Sequence, residues 1–284
     1  MLVEIAVGDA YGAGFEYAQK SWVDKRNMLM FDQYTQHPWH KLKPGCYTDD
    51  TQMSIAIAEA IISDAPWTKE MLADRFVSVF KRDPRQSYSR RFYELLRSVN
   101  NGSEFLATID GHQSTSGAAM RATPIGIYPD IKTVIEHSTV QATVTHNTNN
   151  GIRASVASSL MAHYFIYRLG SKKLLPEFIM EHVPGRWYLP WRGMVGSEGI
   201  VSVSAAITAI VLGQSLVEIL KTSVAFKGDT DTVAAMALGA ACFSTEVEQN
   251  LSSYRFLIED LENGVYGLNF LQQLDKKLLQ YKIN

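Results

Sequence analysis

Apolar residues return every third or fourth position along this chain, and that spacing admits helices and little else. Met53, Ile57 and Ile61, joined by Ala58 and Ile62, form one stripe after Asp50, the pattern of a helix that buries one face. Met71, Phe76, Val79 and Phe80 form another, opened by Pro66-Trp67-Thr68 with Glu70 in its first turn, as helix starts require. Further helices are predicted over about 88–99, 131–141, 152–168, 200–211, 215–225, 231–244 and 265–280. No run of β-branched residues alternates with period two, and Asn101-Gly102 stands between helical patterns rather than between strands. Prolines 44, 66, 84, 124, 129, 176, 184 and 190 fall between these stretches or at their edges, where a residue without an N–H is tolerated. With no fixed-period repeat, low-complexity tract or linker, residues 1–284 are expected to form one all-α domain. A chain of this length hides about three quarters of its unfolded surface, ample for a core.

Composition removes other classes. Hydrophobic residues at 46% and charged residues at 20% exclude a disordered or fibrous chain. Lys plus Arg is 27 against 29 for Asp plus Glu, a net charge of −2, so no global field draws nucleic acid or an acidic membrane. Cys46 and Cys242 have no CxxC partner and read as buried or idle thiols in a reducing compartment. Glu4 and Asp9 come before any signal-peptide core could form, which makes the cytoplasm the expected location. The longest uncharged stretch, Gly199 to Leu216, carries Ser202, Ser204, Thr208, Gly213, Gln214 and Ser215, so it reads as a core helix rather than a membrane span. Two helices are rich in small residues: one holds Ala205, Ala206 and Ala209, the other Ala234, Ala235, Ala237, Gly239, Ala240 and Ala241. Their axes are expected to cross near the centre.

Clustered oxygens stand at two helix starts, Tyr47-Thr48-Asp49-Asp50-Thr51-Gln52-Met53 and Gly228-Asp229-Thr230-Asp231-Thr232-Val233. Thr and Asp are good N-caps and acids suit the positive end of a helix dipole. A cap needs one such residue, however, and each segment offers two carboxylates and two threonines. Brought together, Asp49, Asp50, Asp229 and Asp231 would repel unless a cation neutralised them. Their oxygens suit hard ions such as Mg2+ or Mn2+, and two ions ~3.5–4 Å apart could share them. Gly8-Asp9-Ala10-Tyr11-Gly12-Ala13-Gly14-Phe15-Glu16 fails the dinucleotide fingerprint, because Tyr17 stands where the third glycine belongs. Gly8 and Gly12 instead permit close helix packing, with Gly14 ending the helix and Glu16 in a loop. Ser114-Thr115-Ser116-Gly117-Ala118-Ala119-Met120-Arg121 offers hydroxyls and a glycine ahead of a helix, either a plain cap or a phosphate cradle. Thr145-His146-Asn147 reads first as a structural polar loop, and Tyr88-Ser89-Arg90-Arg91 as a solvated helix face rather than a cleft rim.

The ordered set GDAYGAGFE, YTDDTQM, SGAAMRATPIG, THN and GDTDTVAA, spread over residues 8 to 241, resembles the ADP-ribosylglycohydrolase family, or ADP-ribosyl-acceptor hydrolases. The resemblance implies an all-α fold around a binuclear Mg2+ or Mn2+ centre. It implies hydrolysis of the bond joining ADP-ribose to a modified acceptor, an arginine-type N-glycoside first of all, on a protein or small molecule. Thr48, Asp49, Asp50, Asp229, Asp231 and Thr232 match the metal ligands. Glu16 matches a mobile glutamate that approaches the metals and gates substrate access, and either it or Asp50 would be the base. Thr115 and the run Ser116 to Met120, including Gly117 and Ala118, match the segment that cradles the diphosphate, and His146 a histidine of the ADP-ribose cleft. Ser116 stands where many members have Asn, and Lys227 where many have Gly. Three other readings stay open beside hydrolysis of ADP-ribose: an inactive ADP-ribose binder, a crystallin-like structural relative, and a hydrolase of another N- or O-glycoside such as a nucleoside.

Overall fold

The computed structural model describes residues 1–281. It contains α1 (Leu2–Ala13), α2 (Lys20–Val23), α3 (Asp49–Ile62), α4 (Lys69–Arg82), α5 (Arg90–Ser98), α6 (Gly102–Thr108), α7 (Gly117–Met120) and α8 (Ile131–Thr145). There follow α9 (Asn149–Ile166), α10 (Leu175–His182), α11 (Gly199–Leu212), α12 (Leu216–Ala225), α13 (Thr230–Ala241), α14 (Phe256–Glu259) and α15 (Leu268–Gln280). Among the described residues there are isolated bridges but no strand, so the all-α expectation holds. No helix among them is long and apolar enough to cross a membrane.

At the centre lies α13, every residue of which is buried. It packs on α1, α11 and α12. The expected crossing of the two alanine-rich helices, α11 and α13, is present, but the closer approach is that of α1. A Cβ on Gly8 would come 2.5 Å from the Ala234 carbonyl oxygen, and one on Gly12 would come 2.5 Å from Asp231 Cα. Only glycine lets the two backbones meet there. The Thr230 hydroxyl closes the crossing by donating to the Gly12 carbonyl at 2.8 Å. The start of α13 is thereby fixed against the end of α1.

Nine predicted helices appear with shifted ends; α8, for example, runs on to Thr145. The helix expected to end at Gly14 is α1, and the one expected after the hydroxyls of residues 114–116 is the short α7, whereas the short α2, α6, α10 and α14 were not predicted. Their starts depend on local partners: the Asn101 side chain accepts from Glu104 N at 2.9 Å to cap α6. Pro176 occupies the first turn of α10, where its missing N–H costs nothing.

One irregular segment organises the loops around the acidic helix starts. Val195 N donates to the Lys227 carbonyl at 3.0 Å and the Val195 carbonyl accepts from Asp229 N at 3.1 Å. Two residues on, the Ser197 carbonyl accepts from Ser116 N at 2.9 Å, and Gly199 N donates to the Ser114 carbonyl at 3.0 Å. Residues 195–199 therefore join the loop before α7 to the start of α13.

Candidate active site

A cleft of about 910 Å³ is lined by Asp49 and Asp50 from the start of α3, by Asp229, Asp231 and Thr232 from α13, and by Glu16. The acids come together because the starts of α3 and α13 both abut α1. At α3 the connection is Asp9, a fully buried acid of α1. Its carboxylate accepts from Thr48 N at 3.0 and 2.9 Å, from Thr51 N at 2.9 Å and from the Thr51 hydroxyl at 2.6 Å. These bonds satisfy orphan donors of the first turn, so neither Asp49 nor Asp50 is needed as a cap. At α13 the N-cap residue Asp229 makes no side-chain capping bond; its Oδ2 accepts from the Ser202 hydroxyl at 3.1 Å instead.

One carboxylate oxygen each from Glu16, Asp229 and Asp231 lies within 4.8 Å of the others. The four aspartates are buried or nearly so. Burial pushes the Asp49 carboxyl up to about 7, with Asp9 and Glu16 adding repulsion. Asp50 is driven well above the usual carboxylate range by burial and then by Asp9, Asp49 and Asp229. Burial and then Glu16 lift Asp229 to about 6, and burial followed by Glu16, Asp50 and Asp229 raises Asp231 well above the usual carboxylate range. Asp50 Oδ1 and Asp231 Oδ1 are buried without any hydrogen-bond partner. Orphaned buried carboxylate oxygens are costly. A set made wholly of oxygen donors, crowded by like charge, fits a hard divalent cation.

Thr232 is on the cleft wall, whereas Thr48 is buried behind it, its hydroxyl accepting weakly from Asp50 N at 3.4 Å. Thr115, Ser116, Gly117, Met120 and His146 also line the cleft, but Ala118 does not. The Ala118 carbonyl is engaged inside the protein by Gln141 Nε2 at 2.8 Å. A Cβ on Gly117 would come 2.9 Å from His146 Cε1, so the glycine makes room for that ring. The His146 ring spans two hydroxyls, Thr115 Oγ1 at 2.9 Å from Nε2 and Thr145 Oγ1 at 2.7 Å from Nδ1. Burial and then the Arg121 charge lower its pKa to about 3, so the imidazole is neutral at physiological pH.

Several residues on or behind this cleft carried no clear signal in the sequence. Asp9 was visible only as an acid inside a helix of small apolar residues. Arg121 is a fully buried guanidinium without a carboxylate, held by Gln141 Oε1 and Thr145 Oγ1, each at 2.7 Å, and stacked 4.5 Å from the Phe76 ring centroid. Burial lowers its pKa to about 9. Tyr88, Ser89, Arg90 and Arg91, read from sequence as a solvated face, all line the cleft, although the two arginine side chains are also largely exposed.

A family model described as ADP-ribosylglycohydrolase matches residues 1–242, and the chain belongs to that family. Its relatives include ADP-ribosylhydrolase ARH3 of Xenopus tropicalis, 28% identical over 145 residues that make up 48% of this chain and 40% of that protein. The chain thus matches less than half the length of the frog relative. ADP-ribosyl-(dinitrogen reductase) glycohydrolase of Rhodospirillum rubrum is 24% identical over 241 residues, 82% of this chain and 80% of that protein. A solved structure described as an ADP-ribosylglycohydrolase-related protein complex superposes with a TM-score of 0.68 at 19% identity, covering 99% of this chain and 95% of that one. It shares the fold.

Proposed function

We propose that the cleft binds the ADP-ribose moiety of a modified protein or small molecule and hydrolyses its bond to the acceptor, with an arginine N-glycoside the first acceptor to consider. Residues 1–284 would act as one domain in this reading. The observation that carries it is the convergence of Glu16, Asp229 and Asp231 within 4.8 Å beside the orphaned oxygens of Asp50 and Asp231. Asp49, Asp50, Asp229, Asp231 and Thr232, with Thr48 behind them, are the residues that would hold two Mg2+ or Mn2+ ions. Such ions, when bound, supply the positive charge that neutralises the carboxylates and grips the hydroxyls of a sugar.

The protein's own groups account for the rest. Cleavage at the anomeric carbon develops positive charge on the ribose ring, which the surrounding carboxylates favour. Glu16 takes the proton of the attacking water in this scheme, and Asp50 is the alternative base. Ser116 and Gly117 on the cleft wall would face the diphosphate, while neutral His146 and Thr115 offer hydrogen bonds without adding charge.

Release of ADP-ribose from ADP-ribosyl-arginine, followed with Mg2+, with Mn2+ and after chelation, tests the proposal. Turnover that depends on the divalent ion is expected; equal turnover after full chelation, or hydrolysis of a plain nucleoside but not of ADP-ribosyl-arginine, overturns it. General-base assistance is worth ~10²–10⁴-fold. Glu16→Ala is therefore expected to lower turnover by at least ~10²-fold while leaving ADP-ribose affinity, measured by calorimetry, within a factor of a few.

A further inference from the structure

Glu16 follows α1 in a turn whose backbone is held on both sides. A Cβ on Gly14 would collide with Thr35 Oγ1, so residues 14 and 35 are in direct contact. Thr35 Oγ1 also donates to the Gly14 carbonyl at 3.2 Å. On the other flank Tyr17 adopts a left-handed conformation, φ +49°, and gives its N–H to the Gly228 carbonyl at 2.9 Å. These ties fix the turn and leave the direction of the Glu16 side chain to be set by something else.

His37 meets it. His37 Nε2 lies 2.8 Å from Glu16 Oε2, and the histidine side chain is 1% exposed. The other ring nitrogen, Nδ1, accepts two backbone N–H groups, from Trp39 at 3.1 Å and from His40 at 3.2 Å. A ring nitrogen that accepts cannot carry its own hydrogen. The single hydrogen of the neutral ring is therefore on Nε2, and it points at the carboxylate.

We infer that His37 is a positioning residue: its backbone-locked ring donates from Nε2 to Glu16 and keeps that carboxylate turned toward Asp229 and Asp231. Its consequence for turnover rests on the hydrolytic reading above, whereas the tautomer and the contact do not. Because Trp39 and His40 hold the ring independently of Glu16, the place of the donor is set before the carboxylate meets it. Groups that orient a working carboxylate in this way typically change activity by ~10–100-fold when removed.

Long-range ¹⁵N–¹H NMR of the wild-type protein reads the ring directly. The Nε2–H tautomer is expected, with His37 signals that move in Glu16→Ala. An Nδ1–H or doubly protonated ring, or signals unmoved by Glu16→Ala, overturns the inference. In steady-state hydrolysis of ADP-ribosyl-arginine, His37→Leu is expected to lower kcat about tenfold with KM within about twofold, and His37→Gln, which keeps an N–H donor, to return kcat to within about threefold of wild type. Equal losses in both variants, or full kcat in His37→Leu, overturn it as well. Should wild type show no hydrolysis, the functional proposal fails and the NMR result still decides the role of His37; should His37→Leu fail to fold, the same spectra decide.

Discussion

The two acidic helix starts that meet in the cleft are held in opposite ways. The start of α3 is served from outside by Asp9, whose carboxylate takes the N–H groups of Thr48 and Thr51 and the Thr51 hydroxyl. The start of α13 has no comparable carboxylate. It is held by main chain, through Val195 and Asp229, and by the seating of Gly12 against Asp231. The outcome is the same at both. Asp49 and Asp50 on one side, Asp229 and Asp231 on the other, are released from the capping work such residues usually do and face one another.

Breaking each side separately should therefore give different phenotypes. The largest effect is expected at α13, where Asp231→Ala should lower hydrolysis by at least about 10³-fold and reduce the stoichiometry of bound divalent ion. Its far-UV circular dichroism should stay that of the wild type. A variant that keeps its ion and its activity would remove Asp231 from the account. On the α3 side, Asp9→Ala should act first on stability. It strands two backbone donors and a hydroxyl in the interior, at a cost of at least about 3 kcal/mol, read as a lower midpoint in urea. An unchanged midpoint would show that α3 does not depend on α1 for its start. The smallest effect belongs to Thr48→Ala. The hydroxyl's capping bond is long, 3.4 Å, so the loss should be about 0.5 kcal/mol, the low end for a cap. A loss as large as that of Asp9→Ala would show that the start of α3 depends on Thr48 as much as on Asp9.

How far the molecule could be read beforehand follows from where each signal resides. The long helices were legible because burial on one face leaves a local period. The short helices α6 and α10 were not, since their starts rest on a cap or a proline whose meaning depends on what packs beside them. The surplus of oxygens at Thr48–Asp50 and Asp229–Thr232 was legible as an excess over what a cap requires, and the fold does bring them together. Asp9 was missed because its partners lie 39 and 42 positions along the chain. Arg121 hid because its partners are neutral, so no complementary charge announced it. His37 carries no signal in the sequence; only the two N–H groups converging on Nδ1 give its ring a direction. Tyr88–Arg91 read as a solvated face, which Arg90 and Arg91 are, and only the folded cleft shows that the same stretch also lines it.

The stretch from Val195 to Gly199 bridges both halves of the cleft with four main-chain bonds, and so it works as a spacer bar. The span between the carboxylates and the loop before α7 is tied by one short peptide, alongside the packing of α7 on α9, α11 and α13. Adding or deleting a residue within that bar would change the reach of the cleft while leaving its chemistry in place, which makes it a place where members of one lineage could be cut to ligands of different length.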